Sequence, residues 1–198
     1  MFRDLLGRTI AMVSIATALV AVSVALDLPR TGAGPGAGGH GGAGPAHASV
    51  TSEAAFIAAM IPHHQEAVDA ARAVMDAGER AEVRALAAEI VVAQGDEIAT
   101  LTDWLAAWYP DREPAPYAPT MRRLEGLRPL EVDLVFVADM IQHHEMAILM
   151  AEEALGLTPP PRPEVAALAR DVVRVQAEEI ATLRGWLEAW SAAPAPHR

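Results

Sequence analysis

The sequence predicts an all-α fold: a four-helix bundle made of two repeated αα-hairpins, with a long crossover between the second and third helices. Three observations predict it. The chain carries an internal duplication, apolar residues recur at three- and four-residue steps through both copies, and no stretch shows the period-two alternation of a strand.

The duplication aligns Phe56-Ile-Ala-Ala-Met60-Ile-Pro-His63-His64 with Phe136-Val-Ala-Asp-Met140-Ile-Gln-His143-His144, at an offset of 80. Further on, Gln94-Gly-Asp-Glu97-Ile-Ala-Thr-Leu101 and Trp104-Leu-Ala-Ala-Trp108 align with Gln176-Ala-Glu-Glu179-Ile-Ala-Thr-Leu183 and Trp186-Leu-Glu-Ala-Trp190, at an offset of 82. The two extra residues fall in the Pro-rich stretch Thr158 to Pro163, where a loop is expected.

In the first helix Phe56, Met60, His63, Ala67, Ala71 and Val74 share one face. Pro62 interrupts that helix; it either re-aims the His pair behind it or is a tolerated kink. In the second helix Val83, Leu86, Ile90, Leu101, Trp104 and Trp108 repeat the pattern over about seven turns. The stretch from Tyr109 to Pro129 holds Pro110, Pro114, Pro116 and Pro119, and its length lets the second and third helices run parallel. The third and fourth helices repeat the first two, so the repeats occupy 51–109 and 130–191 of a bundle spanning 51–192, with a tail at 193–198. Such stripes are buried only against one another, which makes a bundle of four. The two Trp pairs read as plugs at the bundle ends.

Ahead of the bundle, Arg3 and Arg8 precede an uncharged run from Thr9 to Leu26, and Ser23-Val24-Ala25 offers a small-residue cleavage site. Residues 1–28 are therefore a secretory signal or an N-terminal membrane anchor, and either places the rest outside the cytoplasm: periplasmic, secreted or anchored to the outer face of the membrane. Residues 29–50 are rich in Gly, Ala and Pro, with His40 and His47 among them, and read as a flexible tether. The 198 residues carry 15 basic against 26 acidic side chains, for a net charge of −11, and every basic residue is Arg. That balance excludes the basic stripe of a nucleic-acid binder. The absence of cysteine excludes disulfides, thiolate metal sites and cysteine nucleophiles. No Ser–His–Asp arrangement, phosphate-cradling Gly loop or dinucleotide fingerprint is present.

Polar residues stand where apolar ones belong. Gln94 and Glu97 fall inside the stripe of the second helix, and Gln176 and Glu179 inside that of the fourth, while His63, His64, His143 and His144 flank the stripes of the first and third. Buried carboxylates are costly unless paired. Either these groups hydrogen-bond one another to fix register, or they surround an ion. The Met-x-x-His spacing at Met60/His63 and Met140/His143 stands where di-iron bundles have Glu-x-x-His. Thioether with imidazole suits Cu(I), with Zn or Fe as alternatives. Met146 and Met150 extend the set in the second copy, where the first has Glu66 and Ala70, so the second half reads as the stronger binder. Gln94, Glu97, Gln176 and Glu179 are then its supporting residues. Met75 and Met121 read as core packing.

The pattern Phe-x-x-x-Met-Ile-x-His-His, followed by Gln-x-x-Glu-Ile-x-x-Leu-x-x-Trp-Leu, resembles the domain-of-unknown-function family 305, over residues 51 to 190 in two copies. The resemblance implies a ferritin-related helical fold, export from a bacterial cell, and copper binding or tolerance through Met and His. On this chain the family's ligands fall on Met60, His63, His64, Met140, His143, His144, Met146 and Met150. Glu66 and Ala70 depart from the pattern, and Leu101 and Leu183 stand where a methionine is often found. Fewer thioethers than in a Met-rich member imply one or two sites rather than high-capacity storage. The leading expectation is a non-enzymatic copper-binding protein that sequesters the metal or hands it to a protein partner. The rivals are a metalloenzyme using Glu97 or Glu179 for proton transfer, and an interaction module whose polar core only fixes register.

Overall fold

Local punctuation, a capping serine or a leading proline, opens three of the four helices. A computed structural model describes residues 49–192; the N-terminal apolar run, the tether with His40 and His47, and the tail from 193 lie outside the described residues. The helix α1 runs Glu53–Ala77, opened by the Ser52 hydroxyl, which accepts from the Ala55 N–H at 3.1 Å. It continues through Pro62 without a break. The helix α2 spans Ala81–Trp108, α3 Pro129–Leu155 and α4 Pro163–Ala192, and both α3 and α4 begin on a proline, whose fixed φ suits a first turn. No strand occurs among the described residues.

The apolar stripes merge into two clusters. One joins Phe56, Ile57 and Met60 of α1 to Leu101 and Leu105 of α2, Met150, Ala151 and Ala154 of α3, and Val165 and Leu168 of α4. The other joins Ala67, Ala71 and Val74 to Val83, Leu86 and Ile90, then Phe136, Val137 and Met140, and Ile180 and Leu183. Phe56 and Phe136, both fully buried, each contribute about 1.5–3 kcal/mol by leaving water. The start of α1 shares a cluster with the end of α3, and its end with the start of α3. The two helices are therefore antiparallel, and α2 and α3 run parallel, as the long crossover allows. The α1–α3 pair is central, α2 packs on α1 and α4 on α3. The crossover lies along the bundle, its Ala115 N–H donating to the Ala58 carbonyl at 2.8 Å.

Each hairpin also closes the other. Asp133, in the first turn of α3, accepts from the Glu79 and Arg80 N–H groups at the start of α2. Glu53, its aligned residue in α1, accepts from the Arg162 N–H at the start of α4. Trp104 stacks on Trp108 with ring centroids 5.2 Å apart, and Trp186 on Trp190 at 6.1 Å. The Arg162 guanidinium lies 4.5 Å over Trp108 and that of Arg80 4.1 Å over Trp190. The expected plugs are thus cation–π lids reaching between hairpins. Met121 packs half-buried against the second cluster. Met75, expected in the core, is 41% exposed: it sits in the last turn of α1, one residue past Val74, which takes the core-facing position.

Gly95, inside α2, has open space where a Cβ would stand, and the aligned position in α4 is Ala177. Gly95→Ala is expected to stabilise the protein by about 0.5–1 kcal/mol in urea denaturation, because glycine loses more backbone entropy in a helix. No gain would mean that the bend or hydration of α2 here needs glycine.

Candidate metal centre

Between the two apolar clusters lies a polar layer. His63 and His143 are each 1% exposed, and His64 and His144 fully buried. Their burial follows from the crossing of α1 and α3, which brings the His63 and His143 rings to 3.8 Å between centroids. Each neighbouring pair fans outward, with His63–His64 at 6.0 Å and His143–His144 at 6.3 Å. Four imidazoles from two helices therefore share one level of the bundle.

Carboxylates reach this layer from three helices. Glu97 Oε2 of α2 stands 2.7 Å from His64 Nε2, and Glu179 Oε2 of α4 stands 2.6 Å from His144 Nε2. Glu66 Oε2 of α1 lies 3.3 Å from His143 Nε2. Three of the eight imidazole nitrogens thus face a carboxylate oxygen, and the other five are buried without a hydrogen-bond partner. Burial lowers the pKa of His63 well below its ordinary value, and the neighbouring imidazoles of His143, His64 and His144 lower it further. Burial lowers His143 too, against the opposing pull of Glu66. Both rings are thus neutral near pH 7, with lone pairs to offer.

Glu66 does more than its sequence position suggested. Its carboxylate accepts from the Tyr117 hydroxyl, from the Thr120 N–H at 2.7 Å and hydroxyl at 3.0 Å, and from the Met121 N–H at 2.9 Å. Burial alone would raise its pKa, but the His143 imidazole, the Tyr117 hydroxyl and the Met121 N–H outweigh burial and hold it at about 2. The residue that interrupts the Met pattern is therefore the anchor of the crossover, and it ties that segment to the histidine layer. Tyr117, which the sequence did not single out, stands edge-on to His63 at 6.0 Å, and its hydroxyl is made less acidic by burial and by Glu66. An isolated Tyr between prolines carries no signal of this role.

The thioethers are distributed around the layer. Met60 and Met150 lie in the first apolar cluster and Met140 in the second, all three buried. Met146 is half-buried and lines a small cleft with His143, Gln142, Asp139 and Thr120. Ala70, which aligns with Met150, packs against the second cluster, so that side has one fewer thioether. Gln94 and Gln176 are buried as the stripe predicts, and they line a cleft between α2 and α4 together with Glu97 and Glu179. Among the described residues no three His, Asp or Glu side chains converge closely enough to chelate an ion by themselves. An ion held here needs thioether or amide donors as well. The side chains gathered here are imidazoles with buried thioethers in the apolar clusters to either side, a soft-to-intermediate donor set.

Comparison with known proteins follows this geometry. The chain matches the family described as domain of unknown function DUF305 over residues 53–131 and 133–198. A comparison with curated proteins gives no match. Among solved structures it is similar to CopM in its Cu(I)-bound form, at 31% identity and a TM-score of 0.63, covering 70% of this chain and 97% of that one. CopM is also known in silver-bound, Cu(II)-bound and apo forms. A DUF305 fragment from Deinococcus radiodurans is 27% identical, with a TM-score of 0.61, over 69% of this chain and 95% of its own. A DUF305 protein from Streptomyces coelicolor, 23% identical with a TM-score of 0.62 over 75% and 99%, shares the fold.

Proposed function

This chain belongs to the DUF305 family, and from that premise we propose that it is an exported protein that binds Cu(I) through Met and His and sequesters it or passes it on. The observation that carries the reading is the buried layer of four imidazoles, in which five of the eight ring nitrogens have no hydrogen-bond partner. Unsatisfied buried nitrogens are costly, and a ligand that uses their lone pairs removes the cost. The similarity to CopM in Cu(I)- and silver-bound forms supports a soft ion.

His63, His64, His143 and His144 would supply imidazole, and Met60, Met140, Met146 and Met150 thioether. Copper so bound serves as cargo. Glu97 and Glu179 hold the outer histidines as supporting partners, and Gln94 and Gln176 stand behind them. Export rests on Arg3 and Arg8 followed by the uncharged run Thr9 to Leu26, as a cleaved signal or an anchor. A metal-exchange protein would be the natural partner, and the anionic surface would favour cations in general.

The test is an anaerobic competition titration of the purified chain with Cu(I), beside a Met140→Ala/His143→Ala/His144→Ala variant. Stoichiometric binding is expected in the wild type, with at least a hundredfold loss of affinity in the variant. Circular dichroism of both must show the helical bundle. Indifference of the folded wild type to Cu(I) would overturn the reading and leave Zn(II), Fe(II) or a purely structural His–Glu network.

A further inference from the structure

We propose that the cleft between α2 and α4 is a second metal site, built for a hard divalent cation such as Mg²⁺ or Mn²⁺, with the amide oxygens of Gln94 and Gln176 and the carboxylates of Glu97 and Glu179 as its ligands. Three independent observations point there. The cleft is lined by Ile90, Ala93, Gln94 and Glu97 of α2 and by Val172, Val175, Gln176 and Glu179 of α4. These are four aligned pairs, each at an offset of 82, so the cleft presents the same face from both sides. Gln94 and Gln176 are 4% and 3% exposed, yet the Oε1 atom of each is buried without a hydrogen-bond donor. A buried amide oxygen left unanswered keeps the full penalty of its lost hydration, and here there are two of them.

The space is of the right size. The cavity measures about 20 Å³, room for one water or one ion, since about 10–15 Å³ suffices for a water. A single water could donate to both amide oxygens, but it has no further proton for the carboxylates on the same rim. A cation answers all four acceptors at once and neutralises the two carboxylates. Glu97 and Glu179 each turn Oε2 toward an imidazole, at 2.7 and 2.6 Å, which fixes the carboxylates from behind as supporting histidines do in other metal sites. Their side chains are 27% and 16% exposed, so an ion has a path from solvent.

Ligand chemistry separates this site from the one proposed for copper. Amide and carboxylate oxygens are hard donors that suit Mg²⁺, Ca²⁺ or Mn²⁺, whereas thioether and imidazole suit Cu(I). The proposal stands without the copper reading, because no thioether lines the cleft.

Mn²⁺ titration of the full chain, followed by loss of the free Mn²⁺ electron paramagnetic resonance signal, tests it. One Mn²⁺ per chain is expected at sub-millimolar concentration, displaced by Mg²⁺ and retained when Cu(I) is added. Gln94→Leu/Gln176→Leu keeps the volume, removes both amide oxygens and is expected to weaken Mn²⁺ at least tenfold. Glu179→Gln, which keeps the shape of the side chain, is expected to do the same and decides the matter if the double variant does not fold. Three results would overturn the proposal. Absence of Mn²⁺ uptake by the folded wild type would mean that the cleft holds only water. Equal uptake by both variants would assign the ion to scattered surface carboxylates. One-for-one displacement of Mn²⁺ by Cu(I) would make the cleft part of the copper site.

Discussion

Asp133→Ala is expected to lower the stability of the protein by about 2–4 kcal/mol, among the largest effects of a single substitution outside the histidine layer. Asp133 is fully buried, and its carboxylate accepts from the Arg80 N–H at 2.8 Å and from the Glu79 N–H at 3.2 and 3.3 Å. Those donors open α2, where no side chain of α2 itself caps the helix, so an acid borrowed from α3 answers them and meets the positive end of the helix dipole. Alanine removes the acceptor and leaves these part-buried N–H groups without their partner. Gly78 adds a constraint: a Cβ there would meet Asp133 Oδ1 at 2.6 Å, so this connection was shaped around the carboxylate. Urea denaturation measures the loss, and Asp133→Asn should recover part of it by keeping one acceptor oxygen. A cost below about 0.5 kcal/mol, the range of ordinary surface changes, would show that water replaces the cap freely.

The second large effect runs the other way. His63→Leu/His143→Leu is expected to stabilise the metal-free protein by about 1–3 kcal/mol while removing its response to Cu(I). Both rings are buried and neutral, and only the His143 Nε2 has a partner, Glu66 at 3.3 Å, so leucines of similar size replace a poorly satisfied polar pair with packing. The pH profile gives an independent reading. Each ring takes up its proton later when folded than when unfolded, because burial lowers both pKa values from 6.5. Unfolded chains therefore bind more protons below about pH 6.5, and the stability of the metal-free wild type is complete above that pH and falls as the pH drops toward the folded values. The double leucine variant should lose this decline. Glu66 contributes a separate window in the wild type: its carboxyl, held at about 2 against 4.5, supports the fold above pH 4.5, and that support is lost between 4.5 and 2. In the variant, without the His143 imidazole, this contribution shrinks. Thermal melts from pH 8 to pH 3 follow both windows. A variant less stable than the wild type at pH 7 would mean that the imidazoles hold the metal-free bundle together, which favours the register-fixing reading over the ligand one.

Much of this architecture was legible because helical periodicity is local. The stripe Phe56, Met60, His63, Ala67, Ala71, Val74 is buried as a face, and Gln94 and Gln176, read as polar residues inside a stripe, are buried polar residues in fact. The alignment of the two copies singled out the four histidines, but only the docking of α1 on α3 brings them to one level. Met75 shows the limit of such reading: one step off the face and near a helix end, it is exposed even though its composition reads as core.

What the sequence by itself determined is the set of four helices, their apolar faces, and the residue types of the polar layer, since each depends only on spacing along one helix. What only the tertiary structure decided is which groups meet. Glu66 reads locally as a missing methionine, and only the return of the crossover makes it the acceptor for Tyr117, Thr120 and Met121. Asp133 and Glu53 read as acids of their own first turns, and only the docking of the hairpins turns them toward the starts of α2 and α4. The cleft between α2 and α4 likewise exists only because those helices flank the central pair. The physical reason is common to all three: a donor or acceptor is satisfied by whatever the chain brings within about 3 Å, and partners fifty or more residues away leave no mark on local spacing.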